Sequence, residues 1–210
     1  MRPEFPLPVF GVSVIHKLIP FVTGFGCLKV TPSTSPKKSA QFSLTKTQQH
    51  TYCTVKTCIL NKLQPVLQTV YFNQPMPFQN KPKIILAHKM YGFPYIDLEG
   101  KLGVSFRDNF IITISDDVLK NDKNKKRLER NLLKKIKDFL STKLALYIFE
   151  AARYRMKYLD KYAFQFIPDI TKLPNLPTLI NDTTLAAYFA LDEREQKAIQ
   201  NLHKKTYKTF

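Results

Sequence analysis

"HKMYGFPYIDLEGKLGVSFRDNFII", His88 to Ile112, is the stretch on which the fold turns. Turn chemistry at Asp97 to Gly100 ("DLEG") and at Ser105 to Asn109 divides it into strand, turn, strand, turn, strand. Tyr91, Phe93 and Tyr95 crowd around Gly92 and Pro94 at one bend. Rings at a bend have two uses: they close the end of a small core, or they face something outside it.

Working outward, Lys83 to Ala87 ("KIILA") is an apolar run suited to a central strand, and Phe110 to Ile114 is a strand of β-branched and aromatic residues. Upstream, Gly24 to Val30 reads as a glycine-punctuated strand and Thr31 to Ser39 as a polar loop. Gln41 to Leu60 carries one or two strands, and Asn73 to Pro82 is a second loop. A short amphipathic helix is expected near Val12 to Ile19.

At Asp116 the period changes. Leu128, Leu132, Leu133, Ile136, Phe139 and Leu140 recur at helical spacing, with lysines and arginines on the other face. Ser141 interrupts this helix or caps a second one, whose stripe continues through Leu144, Ile148, Ala151 and Ala152. Arg153, Arg155, Lys157 and Lys161 decorate its far face, and Pro168 ends it. "PDITKLPNLPTLIND" then reads as an extended linker into a helical hairpin. Asp182 or Thr183 should cap the first hairpin helix and Asp192 the second, with Glu193 and Lys197 as an i,i+4 pair. The expected class is α+β: a mostly antiparallel sheet followed by long packed helices and a small C-terminal helical hairpin. The expected division is an N-terminal extension over 1–23, an α+β domain over 24–167, and a linker with hairpin over 168–210.

Hydrophobic content of 44% and aromatic content of 12% supply a core. The formal charge of +17 concerns partners instead, and nucleic acid is the commonest polyanion to match it. Cys27, Cys53 and Cys58 are odd in number and suit a reducing, cytoplasmic or other intracellular compartment rather than secretion. They lack the C-x₂-C spacing of a zinc site, although His50 is nearby, and buried small hydrophobes are the plainer assignment. The apolar start is broken by Pro6, Pro8, Lys17 and Pro20, so neither a signal peptide nor a membrane span is expected.

The P-loop, dinucleotide, zinc-protease and nucleophile-elbow motifs are absent. Asp169, Glu195 and Lys197 spell the outline of a metal-dependent nuclease, but Glu195 and Lys197 point roughly 200° apart on a helix. A turn aspartate and a solvated helix face account for them. "FNQPMPF" separates Asn73, Pro75 and Pro77 with Gln74 and Met76, so the uninterrupted turn that grips an exocyclic base amine cannot form in the usual way. No catalysis by this chain alone and no cofactor are expected.

"KPKIILAHKMYGFPYIDLEGKLGVSFRDNFII", followed by a charged helix and "FLSTKLALYIFEAARYRMKYLDKYAFQFIPDITK", resembles the C-terminal target-recognition, or TaqI-like specificity, region of adenine-specific DNA methyltransferases of restriction–modification systems. The terminal "INDTTLAAYFALDEREQKAIQNLHKK" resembles the hairpin that ends many of them, with Ala190 in place of the usual glycine. The catalytic half of such enzymes has no counterpart here. The resemblance implies a DNA-binding module, a fragment or separate subunit, with double-stranded DNA and a separate methyltransferase catalytic subunit as partners. The DNA-binding residues it implies are Lys83, Lys89, Tyr91, Tyr95, Arg107, Arg153, Arg155 and Lys157. The alternative is a non-catalytic interaction or structural protein with a lysine-rich surface.

Overall fold

A computed structural model describes residues 14, 16–61, 64–88, 93–120, 122–152 and 159–202. The fold is α+β, with two four-stranded sheets and a helical layer. Sheet A has the order β1 (Leu28–Pro32), β8 (Asn109–Ile114), β5 (Lys83–Ala87), β6 (Tyr95–Asp97), all antiparallel. Sheet B has the order β2 (Phe42–Ser43), β4 (Gln64–Phe72), β3 (Tyr52–Asn61), β7 (Gly103–Val104), and β3 runs parallel to β7.

β5 is central, as its unbroken apolar run requires: all five residues are buried. Its alternation serves two layers. Ile84 and Leu86, with Phe110 and Ile112 of β8, join the large core under the helices. Ile85 and Ile111 face the other way and meet Val55 and Val104 of sheet B. Sheet A is thus a middle layer, wet on neither face of its central pair.

The strand expected over Gly24 to Val30 begins only at Leu28. Gly24 and Gly26 occupy left-handed turns (φ 63° and 52°), and a Cβ on Gly26 would stand 2.8 Å from Cβ of Asp169. Asn61 to Phe72, to which the sequence pattern assigns no element, holds all of β4; Pro65 near its start hides a strand that otherwise carries Val, Thr and aromatic residues.

The helices are α1 (Asp116–Leu119), α2 (Lys125–Leu140), α3 (Lys143–Ala152), α4 (Asp182–Tyr188) and α5 (Glu193–Gln200). α2 buries Leu132, Leu133, Ile136, Phe139 and Leu140, the stripe legible in the sequence. The break falls at Ser141 and Thr142, whose hydroxyls donate to Lys137 O (2.7 Å) and Phe139 O (2.7 Å).

The C-terminal region is part of this core. Ile170, Leu173 and Ile180 of the proline-rich stretch are buried with Leu185, Phe189, Leu191 and Ile199 of the hairpin, and Val14 and Leu18 join them from the N-terminal side. The cap of α4 is Asn181, not Asp182 or Thr183: its extended backbone lets Oδ1 accept from Thr184 N (2.9 Å) while Thr184 Oγ1 accepts from Asn181 N (3.1 Å). Asp182 caps a different helix, accepting from the backbone N–H groups of Lys143 (3.1 Å) and Leu144 (3.0 Å) at the start of α3. Asp192 caps α5 as expected. Glu195 is only 1% exposed and binds Lys17 Nζ at 2.6 Å, so it is not on a solvated face.

Asp182 therefore ties hairpin to helical layer. Asp182→Ala is expected to cost about 1–2 kcal/mol in denaturant unfolding, and Asp182→Asn less. A neutral Asp182→Ala would contradict the cap.

Candidate nucleic-acid interface

Charge is not spread evenly along the chain. Between Glu4 and Asp97 there is no Asp or Glu, and β2, β3 and β4 all fall within that interval. Lys37, Lys38, Lys46 and Lys56 are exposed there, and Arg107 is exposed on the turn that follows β7. Among the described residues none of these five is in an ion pair. On the helical side Arg130 pairs with Glu99, Lys137 with Asp138, Lys120 with Asp117 and Lys29 with Asp116, while Lys123, Lys125, Lys126, Arg127, Lys134 and Lys135 are exposed and in no ion pair among the described residues; what differs is that carboxylates are interleaved there.

The turn bearing Arg107 is held from below. Ser33 N donates to Asn109 O (2.8 Å), Asn109 N donates to Ser33 Oγ (3.1 Å), and Ser33 Oγ donates to Phe106 O. Asn109 Nδ2 donates to Lys56 O at 3.0 Å, fixing the turn to β3. Phe106 takes a left-handed backbone (φ 65°), rare for an aromatic residue, and this clamp accounts for its persistence. Its ring lies edge-on to Phe42 (6.0 Å) and tilted on Phe72 (6.2 Å), with Lys56 Nζ 5.9 Å from its centroid. Phe42 is 48% exposed. A partly open aromatic pair thus stands beside the Lys56 ammonium, with Arg107 next along the chain.

Next to this patch a cleft of about 500 Å³ opens between residues 34–39 and 74–77. Thr34, Ser35, Lys37, Ser39, Gln74 and Ser105 give it a polar lining, and Pro36, Pro75, Met76 and Pro77 an apolar one. Two adjacent residues pin its walls: Val104 N donates to Pro77 O (2.9 Å), and Ser105 Oγ donates to Thr34 O (3.2 Å).

Of the sequence-derived candidates, Arg107 is on this surface. Tyr95 lies on edge strand β6, paired with Ile85 and 37% exposed. Lys83 must be corrected: it is 0% exposed, and its ammonium donates to Asp97 Oδ2 (2.6 Å) and Lys81 O (3.1 Å). Asp97 also accepts from the backbone of Lys101 (3.1 Å) and Leu102 (2.9 Å), so the pair organises the "DLEG" turn and cannot meet a phosphate. Burial lowers the Lys83 pKa, and the hydrogen bond and charge of Asp97 work against that shift. Lys89, Tyr91, Arg153, Arg155 and Lys157 lie outside the described residues. Of the aromatic bend, Phe93 is half-buried. Phe42, Lys56, Phe106 and the cleft were missed; the long interval without carboxylates is the signal that points to Lys56 and the loop lysines, and no sequence signal points to Phe106.

The other constellations dissolve into structure. Asp169 is buried and accepts from Thr171 N (3.0 Å) and Oγ1 (2.7 Å), while Glu195 is committed to Lys17 and to Asp192 N (2.8 Å). Burial pushes the thiol of Cys27 up to about 12, assisted by the charge of Asp169, and that of Cys58 up to about 11. Among the described residues no three His, Cys, Asp or Glu side chains are grouped to hold a metal, and no helix is long and apolar enough to cross a membrane. No protein-family model, curated protein or solved structure matches the chain.

Asp97→Ala leaves a buried ammonium unpaired and is expected to destabilise by about 3–5 kcal/mol. Adding Lys83→Met should recover much of that loss, as read from urea midpoints. An additive or worse double variant would contradict the structural role of the pair.

Proposed function

We propose that this chain is a DNA-binding module of the target-recognition kind, and that duplex DNA lies against the outer side of sheet B, across the Ser105–Asn109 turn. The observation that carries the proposal is the exposed set Lys37, Lys38, Lys46 and Lys56, drawn from an interval without carboxylates and in no ion pair among the described residues, with Arg107 exposed on the adjoining turn. Unpaired surface cations repel one another and are compensated when a polyanion displaces their counterions. On the helical side, carboxylates already neutralise part of the basic charge. The order of motifs resembling methyltransferase specificity regions agrees with this reading and assigns no catalytic step to the chain.

Within this surface the roles divide by support. Arg107, on a clamped turn, can be aimed at a base edge; Lys56 and the loop lysines, on flexible stems, serve phosphates. Duplex binding in a gel-shift titration should be submicromolar at low salt and weaken steeply as salt rises. Lys56→Ala with Lys37→Ala is expected to weaken binding to all sequences alike and lower the salt slope by about 2. Arg107→Ala should cost about 1–3 kcal/mol on a preferred site and much less on random duplex. No retardation at ~50 mM salt would contradict the proposal.

A further inference from the structure

We infer that the cleft between residues 34–39 and 74–77 binds one nucleotide unit, its phosphate on the Lys37 side and its base against Pro75 and Pro77. The inference deepens the DNA-binding reading and rests on it for the source of the nucleotide, a single-stranded or extruded unit whose base has left the duplex stack.

The cleft has the two kinds of wall a nucleotide needs. Lys37 and the hydroxyl side chains of Thr34, Ser35 and Ser39 stand on one loop, where an ammonium and short donors suit a phosphate. The facing loop presents the exposed Pro75 and Pro77, a hydrocarbon surface that accepts the flat face of a base without regard to its identity, with Met76 buried between them. Its volume, about 500 Å³, lies within the range of small-molecule sites. No carboxylate lines it, so nothing there repels an anion.

The cleft is also preformed. Val104 and Ser105, neighbours in sequence, hold one wall each through Pro77 O and Thr34 O. Met76 is packed into the small core with Val70 and Phe72, so the apolar wall has a fixed backing. A site already shaped before binding loses little freedom on binding. Phe106 and Arg107 directly follow Ser105 along the chain, which sets the cleft beside the cationic surface where a strand would run. The "QPMPF" sequence, unable to grip an amine between consecutive prolines, thus contributes a stacking wall instead.

Amide NMR spectra of the full chain titrated with deoxyadenosine monophosphate, with inorganic phosphate, and with a short mixed-sequence single strand test this. The mononucleotide and the strand should both shift Ser35, Lys37, Ser39, Gln74, Met76 and Ser105, whereas phosphate alone should move only the 34–39 side. Ser35→Trp, a substitution at an exposed loop position that narrows the cleft, should weaken strand binding about tenfold. If the chain retards duplex DNA but no ligand moves the cleft amides and Ser35→Trp binds normally, the cleft inference is overturned and the DNA-binding reading stands. If the mononucleotide moves the cleft while no strand or duplex binds, the cleft is a free-nucleotide site and the DNA-binding reading fails instead. Shifts mapping only to α2 would overturn the inference.

Discussion

Burial of the β5–β8 pair on both faces is the constraint from which the rest follows. Ile84, Leu86, Phe110 and Ile112 need a helical layer on one side; Ile85 and Ile111 need sheet B on the other. Two strands that tolerate water on neither face leave no room for an unpaired charge. Lys83 therefore exists in the middle of this layer only because Asp97, across the β5–β6 ladder, supplies its counter-charge. That pair in turn fixes the turn leading to β7, and Val104 of β7 with Ser105 just after it pins the two walls of the cleft. The surface assigned to nucleic acid is thus attached to the core by a short chain of specific bonds rather than carried on free loops.

Electrostatics separates the two outer faces. The helical layer is basic but interleaved with acids, and its cations are partly satisfied within the protein. Strands β2, β3 and β4 and the loops before β5 draw on an interval with no acid at all, so their cations are left to solvent and counterions. Net charge alone does not distinguish a solvated surface from a binding one. Charge left unpaired beside the exposed Phe42 ring and a preformed cleft is a more specific arrangement, since phosphate contact is offered everywhere along a duplex and stacking wherever a base is unpaired.

Much of the frame was legible in the sequence because it depends on local pattern. "KIILA" is buried on both faces and reads so without context; the α2 stripe repeats at helical spacing; Asp192 precedes its helix as a cap should. What depends on distant partners was not legible. Lys83 was a DNA-binding candidate only through the family resemblance, and only the fold brings Asp97 opposite it. Asp182 looks like the cap of its own helix and instead caps one whose start is Lys143. Glu195 has the surroundings of an exposed helix residue, and its burial depends on Lys17 at the other end of the chain. The stretch from Pro168 to Asn181 looks like a linker by its prolines, yet Ile170, Leu173 and Ile180 give it a place in the core. The candidate surface follows the same rule: Arg107 was found from its turn, whereas Phe42, Lys56 and the cleft walls converge only through the pairing of sheet B.

Hydrogen–deuterium exchange of the full chain, free and with excess duplex DNA at low salt, locates the surface that DNA covers. The account predicts slowed exchange over residues 34–39, around Lys56, over Gln74 to Phe78 and over Ser105 to Asp108, with α2 unchanged. Protection confined to α2 and the helical layer, with sheet B and its loops exchanging as in the free chain, would contradict it.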